Sequence, residues 1–170
     1  IVDYIVENTV GVKLNSPRTP GGGKAEKAEK TMKPLTPEEV ASLKILDPAC
    51  GSGSFLIVLY QYLLDWYLER YTEKTPEKYA KGKEAPLVSV GDGWKLSTVE
   101  RKRILLEHIF GVDIDSQAVE VTKLSLLLKV LEEETSDSIN AQLSMFHERA
   151  LPDLGNNIKC GNALVGYDID

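Results

Sequence analysis

The chain has 170 residues, of which 42% are hydrophobic and 27% charged, a composition typical of one folded domain with its own core. Its net charge of −6 and pI of about 5.1 argue against a self-sufficient nucleic-acid-binding module, which is usually basic. Two cysteines exclude a disulfide framework and a four-cysteine zinc site. No apolar run approaches the ~20 residues that span a bilayer, so we expect no membrane segment. The low cysteine count fits a reducing, cytoplasmic setting.

The chain begins without Met, inside an apolar-periodic segment, and stops at Asp170, so we expect it to be a fragment of a longer protein. Residues 1–12 have apolar residues at helical spacing, which predicts a helix that packs on the core. Its apolar face is expected to contain Ile1, Val2, Ile5, Val6 and Val10. Two prolines and three consecutive glycines within residues 15–33 predict a flexible surface loop.

Two capping boxes predict helix starts at Thr36-Pro37-Glu38-Glu39 and at Ser97-Thr98-Val99-Glu100. The first helix is short and leads into a strand, whereas the second extends to about His108. We expect the basic run Arg101-Lys102-Arg103 to face water. His108 has no partner motif and is expected at the surface or at the helix end.

The most informative stretch is Lys44 to Leu56, with the sequence KILDPACGSGSFL. It predicts a short strand, a glycine-rich turn and the start of a helix. Gly51 and Gly53 allow a tight turn and close approach to a ligand because neither has a Cβ. Asp47 lies at the carboxyl end of the strand, where open α/β sheets bind their ligands. The third glycine of a dinucleotide fingerprint is replaced by Leu56, which disfavours NAD.

A long helix is predicted over about residues 54–71. Its only polar stripe is formed by Gln61, Asp65 and Glu69, so we expect it to be buried on nearly all sides, with its aromatic residues in the core. Residues 72–96 are largely polar and are expected to form an insertion. This insertion explains the long separation in sequence between the glycine turn and the next acidic strand end, which exceeds the ~20 residues of a compact βαβ unit.

A second strand is predicted at Ile109 to Ile114, with Asp113 at its carboxyl end and Asp115 or Ser116 capping the next helix. A carboxylate at this position can accept both hydroxyls of a ribose. The helix is predicted from Gln117 to about Glu134. The residues expected to pack on the sheet are Val121, Leu124, Leu128 and Leu131.

A third strand is predicted at Asn157 to Cys160, followed by a turn at Gly161-Asn162. The Asn162 amide can donate to and accept from an adenine edge, although asparagine is also a common turn residue. Cys160 is expected to be a small buried hydrophobic residue. The three strand ends should converge on one edge of a parallel sheet.

The string Asp47-Pro-Ala-Cys-Gly-Ser-Gly-Ser-Phe55 resembles the first motif of S-adenosylmethionine-dependent methyltransferases that methylate adenine in DNA, and the string around Asp113 resembles their second motif. The resemblance extends over roughly residues 44–164 and implies an incomplete Rossmann-like class I methyltransferase sheet with flanking helices, in one partial domain over residues 1–170. It implies that S-adenosylmethionine contacts Asp47, Pro48, Ala49, Cys50, Gly51, Gly53, Phe55, Asp113, Ile114 and Asn162. In that family the acid binds the ribose, and the residues at the Ile114 and Asn162 positions contact the adenine of the cofactor.

The catalytic string of that family, Asn/Asp-Pro-Pro-Tyr/Phe, does not occur in this sequence. The resemblance therefore implies the cofactor-binding part of an adenine-N6 DNA methyltransferase of a restriction–modification or phage-defence system. This part alone should be inactive, and the parent protein would contact DNA through a missing C-terminal region. Two alternatives remain at this stage: a methyltransferase that acts on protein or RNA, and a Rossmann-like interaction module that has lost its cofactor. No catalytic residue and no metal site is assigned.

Overall fold

The computed structural model describes residues 1–15, 35–132 and 152–164 of the chain. The predicted loop at 15–33 lies outside these ranges except for Asn15, which ends a helix, and the final turn of the helix predicted to Glu134 also lies outside them. The helices are α1 (Val2–Val6), a π-helical segment (Glu7–Gly11), α2 (Val12–Asn15), α3 (Pro37–Val40), α4 (Ser54–Thr72), α5 (Pro76–Tyr79), α6 (Thr98–His108) and α7 (Ser116–Leu131). The strands are β1 (Ile45–Asp47), β2 (Leu87–Val90), β3 (Gly93–Leu96), β4 (Ile109–Asp113) and β5 (Ile158–Cys160).

The central sheet has the order β1-β4-β5, and both strand pairs are parallel. The register pairs Asp47 with Gly111 and Asp113 with Cys160, so the three carboxyl ends lie along one edge. Helix α7 connects β4 to β5, and α4 begins the longer connection from β1 to β4. The described part of the chain is therefore an α/β domain with a parallel sheet, as the sequence predicts.

The predicted insertion contains regular structure. After α4 the chain forms the short helix α5 and then an antiparallel hairpin of β2 and β3. Gly91 at the hairpin turn has a φ of 57°, a conformation that glycine adopts without strain. Leu87 and Leu96 are buried, so the hairpin packs on the core as well as extending the connection.

Helix α4 is the centre of the core, as its composition predicts. Tyr60 and Tyr67 are completely buried, which confirms that the aromatic residues of this helix belong to the interior. Asp65 and Glu69 face solvent, in agreement with the single polar stripe. The mostly apolar sequence is explained by contacts on several sides, with α1, α6, α7, β3 and β4.

The first helical segment uses a different face from the predicted one. Ile1 is fully exposed and Ile5 is largely exposed, whereas Val6, Val10 and Leu14 are buried. These three residues are spaced by four, which fits a segment that contains a π-helical turn between α1 and α2. The prediction, from standard helical periodicity, that Ile1 and Ile5 pack on the core is therefore wrong.

The predicted packing face of α7 is also wrong. Val121, Leu124 and Leu128 are each at least half exposed. The buried face is formed by Val119, Thr122, Leu126 and Val130. Apolar residues occur on two sides of this helix, so periodicity alone cannot choose between them. The buried face includes Thr122, a polar residue that is completely buried beneath the β1–α4 turn.

Helix α6 contains a buried polar cluster instead of the expected water-facing basic run. Arg101 and Glu100 are each about 4% exposed, and His108 is completely buried at the end of the helix. We call the side chains that connect these helices the α4–α6 network. Its members are Tyr67, Tyr71, Glu100, Arg103 and His108.

The α4–α6 network is held by short hydrogen bonds. The Glu100 carboxylate accepts from the Tyr71 hydroxyl at 2.7 Å and from the Arg103 guanidinium at 2.6 and 2.8 Å. The His108 ring lies 2.8 Å from the Tyr67 hydroxyl and 2.6 Å from the carbonyl oxygen of Leu43. Because Leu43 precedes β1, the network also contacts the segment that leads into that strand.

Candidate functional site

The β1–α4 turn is shaped by hydrogen bonds within the turn and to the neighbouring strand β4. The Asp47 carboxylate accepts from the Ala49 N–H at 3.1 Å, and the Gly53 N–H donates to the Cys50 carbonyl at 2.9 Å. The Cys50 N–H donates to the Val112 carbonyl at 3.0 Å, which attaches the turn to β4. The turn is therefore a fixed structure at the carboxyl edge of the sheet.

The two glycines of the turn have opposite surroundings. Gly51 has a φ of 52°, and a Cβ added there would meet nothing within 4 Å. Gly53 has a φ of 81°, and a Cβ added there would lie 2.7 Å from Cγ2 of Thr122. The turn thus has one open side at Gly51, where a ligand can approach the backbone, and one packed side at Gly53.

Asp113 connects the ends of β4 and β1. Its Oδ2 accepts from the Gly51 N–H at 2.7 Å, and its Oδ1 accepts from the Asp115 N–H at 2.9 Å. The N–H groups of Asp115 and Gly51 lower the pKa of Asp113, so this carboxylate is ionised at neutral pH. Asp115 itself caps α7 by accepting from the Gln117 N–H, which confirms its predicted role.

The side chains around the turn differ in their accessibility. Pro48 and Ala49 are exposed along it, and Ile114 is 76% exposed beside Asp113. Phe55 is half-buried and packs against the core. The side chain of Cys50 is buried beneath the turn, and its main-chain N–H and carbonyl are hydrogen-bonded to Val112 and Gly53.

Burial, followed by the nearby charges of Asp47 and Asp113, raises the pKa of the Cys50 thiol. The thiol is therefore protonated and is a poor nucleophile at neutral pH. This location assigns Cys50 to packing beneath the turn rather than to covalent chemistry.

The carboxyl end of β5 is the third strand end at this edge of the sheet. The Gly161 N–H donates to the Asp113 carbonyl at 2.9 Å, which places the turn after β5 next to Asp113. Asn162 is exposed, and its Oδ1 accepts from the Leu164 N–H at 2.9 Å, so it serves as a turn residue in this structure. Cys160 is exposed, and the prediction that it is buried is wrong because its side chain lies at the open end of an edge strand.

The strand-end site, defined as Asp47, Gly51, Asp113, Ile114 and Asn162, unites the predicted residues at the carboxyl ends of β1, β4 and β5. It presents an ionised carboxylate, an open backbone turn and an exposed apolar side chain. These groups can bind a ligand that combines hydroxyl or amine donors with a flat apolar part. Among the residues that the structure describes, no cluster of histidine, cysteine and carboxylate side chains could hold a metal ion.

Sequence reasoning missed Thr122. This residue lies in the middle of an amphipathic helix and far from the glycine turn in sequence, and its hydroxyl donates to the Gly51 carbonyl at 2.9 Å. The only signal in the sequence is a polar residue among apolar ones, which by itself predicts exposure. The contact is visible only once β4 has placed α7 beneath the turn.

These features define a class: an α/β domain that binds a ligand at the carboxyl ends of parallel strands. Residues 23–167 match the family described as "MmeI, DNA-methyltransferase domain". This match covers most of the chain, so the chain belongs to that family.

Several curated proteins are similar to the chain. It is 32% identical over 127 residues to the "Type II restriction enzyme and methyltransferase RM.Eco57I" of Escherichia coli, which is 75% of this chain and 12% of that protein. It is 33% identical over 130 residues to the "Putative type II restriction enzyme and methyltransferase RM.MjaORFECS2P" of Methanocaldococcus jannaschii, covering 76% of this chain and 9% of that protein.

A third relative is the "Adenine-specific methyltransferase BrxX" of Escherichia coli O9:H4, at 29% identity over 148 residues, with 79% of this chain and 10% of that protein covered. The chain thus spans about a tenth of the length of the curated relatives it matches. No solved structure matches it. In the part of the chain that the structure describes, no helix is long and apolar enough to cross a membrane.

Proposed function

We propose that this chain is the cofactor-binding part of a methyltransferase that transfers a methyl group from S-adenosylmethionine to N6 of adenine in DNA. The parent protein would act in restriction–modification or phage defence. Family membership and the names of the similar proteins support this proposal. We also propose that the three-stranded sheet is part of a Rossmann-like class I sheet, in one partial domain with an insertion at residues 72–96.

The observation that carries the proposal is the carboxylate of Asp113 beside the open turn at Gly51. A carboxylate can accept about four hydrogen bonds, and that of Asp113 accepts from the Gly51 and Asp115 N–H groups at 2.7 and 2.9 Å, with a weaker contribution from the Ile114 N–H. The Asp113 carboxylate therefore keeps acceptor capacity for ribose hydroxyls. The open side of Gly51 leaves space for the cofactor to approach the backbone.

The other residues of the strand-end site complete the proposed pocket. Ile114 would pack on the adenine ring of the cofactor, since it is apolar and largely exposed. Asn162 would contact the adenine amine through its amide. Asp47, together with Pro48, Ala49, the Cys50 backbone, Gly53 and Phe55, would form the wall along the turn. S-adenosylmethionine would supply the electrophilic methyl group, and these residues would bind and orient it.

We assign no catalytic residue within the chain, since the Asn-Pro-Pro-Tyr-like string of the resembling family does not occur among its 170 residues. With a net charge of −6, the chain is also poorly suited to hold DNA phosphates by itself. We propose that binding of DNA and of the target adenine belongs to another part of the parent protein.

Calorimetric titration of the intact protein with S-adenosylmethionine tests the cofactor assignment. We expect binding by the unmodified protein and a loss of at least about tenfold in affinity for Asp113→Ala, because a charged acceptor of ribose hydroxyls is removed. Asp92→Ala, which changes an exposed carboxylate in the β2–β3 turn, is the matched control and should bind normally. Absence of binding by the unmodified protein would contradict the proposal.

The substrate assignment has its own test. The parent protein is incubated with labelled S-adenosylmethionine and with DNA, RNA or protein in separate reactions, and the modified base in DNA is identified by mass spectrometry of the digested DNA. We expect N6-methyladenine. Transfer of the label to protein or RNA, with none to DNA, would retain the cofactor assignment and reject the DNA substrate.

A further inference from the structure

We propose that Thr122 is a positioning residue for the cofactor turn, acting from beneath it rather than by touching a ligand. The inference rests on the proposed function, because it assumes that the open side of Gly51 is where the cofactor binds. It concerns a residue on α7 that the sequence motifs do not include.

Thr122 and Asp113 fix the Gly51 residue from two directions. The Asp113 carboxylate accepts from the Gly51 N–H at 2.7 Å, and the Thr122 hydroxyl donates to the Gly51 carbonyl at 2.9 Å. Glycine has more accessible backbone conformations than any other residue, and Gly51 has a positive φ. Without restraints, the turn would therefore sample many conformations. Hydrogen bonds at both polar groups restrict Gly51 to one conformation, with its open side toward the proposed pocket.

Thr122 also supports the second glycine. A Cβ at Gly53 would lie 2.7 Å from Cγ2 and 2.8 Å from Oγ1 of Thr122, so the Gly53 backbone rests directly on this side chain. One threonine therefore contacts both glycines, through its hydroxyl at Gly51 and its methyl group at Gly53. Its complete burial shows that neither contact is a surface encounter.

The Thr122 hydroxyl donates its hydrogen bond outside its own helix. A threonine inside a helix commonly donates to the carbonyl one turn earlier, which leaves its hydroxyl satisfied within the helix. Thr122 instead donates to a residue 71 positions away, in the turn between β1 and α4. The hydroxyl thus couples the two βα units that carry Asp47 and Asp113. Without it, the Gly51 carbonyl would lose its partner and the turn would gain freedom.

The test compares S-adenosylmethionine affinity and melting temperature in the intact protein. Thr122→Val keeps the shape and loses the hydroxyl, and Thr122→Ala is a second variant without it. Thr122→Ser keeps the hydroxyl and loses the methyl group. Val130→Ala, on the same buried face of α7, is the control for a purely structural effect.

We expect the dissociation constant to rise roughly tenfold in Thr122→Val and Thr122→Ala, the effect of losing one hydrogen bond that organises the turn. Thr122→Ser should bind within about twofold of the unmodified protein. Val130→Ala should lower the melting temperature and leave the affinity unchanged when binding is measured well below that temperature.

Two results would overturn the inference while the proposed function stands. One is unchanged affinity in a folded Thr122→Val or Thr122→Ala protein, and the other is an equal loss in Thr122→Ser. If the unmodified protein does not bind S-adenosylmethionine, the proposed function fails and the inference fails with it. The unmodified protein therefore distinguishes the two failures.

Discussion

The strand-end site and the α4–α6 network are both polar, but they are built in opposite ways. Carboxylates in the strand-end site are accessible and are held by main-chain N–H groups, as Asp113 is by Gly51 and Asp115. The network carboxylate, Glu100, is buried and is held by the side chains of Tyr71 and Arg103. The first arrangement leaves acceptor positions for a ligand, whereas the second uses its polar groups internally.

This difference predicts which substitutions affect binding and which affect folding. Removal of a group from the α4–α6 network leaves buried partners unsatisfied and should lower the free energy of unfolding. Removal of a group from the strand-end site should mainly lower ligand affinity. Helix α7 connects the regions because it contacts both α6 and β4.

The largest effect is expected for Glu100→Ala, which should lower the free energy of unfolding by about 3 to 4 kcal/mol. It removes a buried carboxylate that accepts three hydrogen bonds, leaves the Tyr71 hydroxyl unpaired and reduces Arg103 to its ion pair with Glu107. Urea denaturation measures the change. Glu120→Ala, at an exposed carboxylate paired with Lys123, is the matched control and should change stability by less than about 0.5 kcal/mol. Equal effects of the two substitutions would contradict the buried role of Glu100.

The packing face of α7 is tested by Leu126→Ala against Leu124→Ala. Leu126 is completely buried and Leu124 is 58% exposed. We expect a loss of about 3 kcal/mol for the first, from the lost burial and the cavity, and less than about 0.5 kcal/mol for the second. A larger loss of stability for Leu124→Ala than for Leu126→Ala, in thermal or urea denaturation, would support the buried face that periodicity predicts.

Substitutions at the two glycines of the turn should distinguish an effect on stability from an effect on ligand affinity. Gly53→Ala should lower stability by about 2 kcal/mol, because it combines an unfavourable φ with a clash against Thr122. Gly51→Ala should cost only about 1 kcal/mol from its φ, and its methyl group would project toward the proposed cofactor. We expect Gly51→Ala to show the larger ratio of lost S-adenosylmethionine affinity to lost stability, measured by calorimetry and denaturation.

The smallest effect concerns pH. Burial lowers the pKa of His108 below its ordinary value, so the unfolded chain binds a proton there more readily than the folded chain. The stabilisation is fully present above the unfolded pKa of about 6.5 and is lost as pH falls through the lower folded pKa. As the pH falls below about 6.5, His108→Gln should therefore show a weaker fall in unfolding free energy than the unmodified protein. Parallel curves for the two proteins would contradict this assignment.

Sequence reasoning succeeded where the controlling interactions are short in range. The turn around Gly51 and the acid at the end of β4 follow from glycine, proline and aspartate chemistry within a few residues. The helix starts at Thr36 and Ser97 were predicted for the same reason, and both side chains accept the expected N–H. Parallel β pairing then brings the predicted strand ends to one edge.

The errors occur where one helix packs on another. Periodicity could not choose the buried side of α7, since apolar residues lie on two of its sides. The charge of the basic run led to the expectation that Arg101 faces water, and the helix-end position expected for His108 did not reveal that it is buried. A charged or polar side chain is buried only if distant partners satisfy it, and sequence spacing does not reveal those partners. The carbonyl of Leu43 and the hydroxyl of Tyr67 supply them for His108.

The sequence by itself therefore determined the glycine turn, the acidic strand ends, the strands of the parallel sheet with their main helices, and the resemblance to DNA adenine methyltransferases. Only the tertiary structure decided that Gly51 is open while Gly53 is packed, and that Thr122 lies beneath both. The physical reason is distance along the chain. Backbone conformation depends on near neighbours, whereas burial and hydrogen-bond partners depend on elements that meet only after the whole domain has folded.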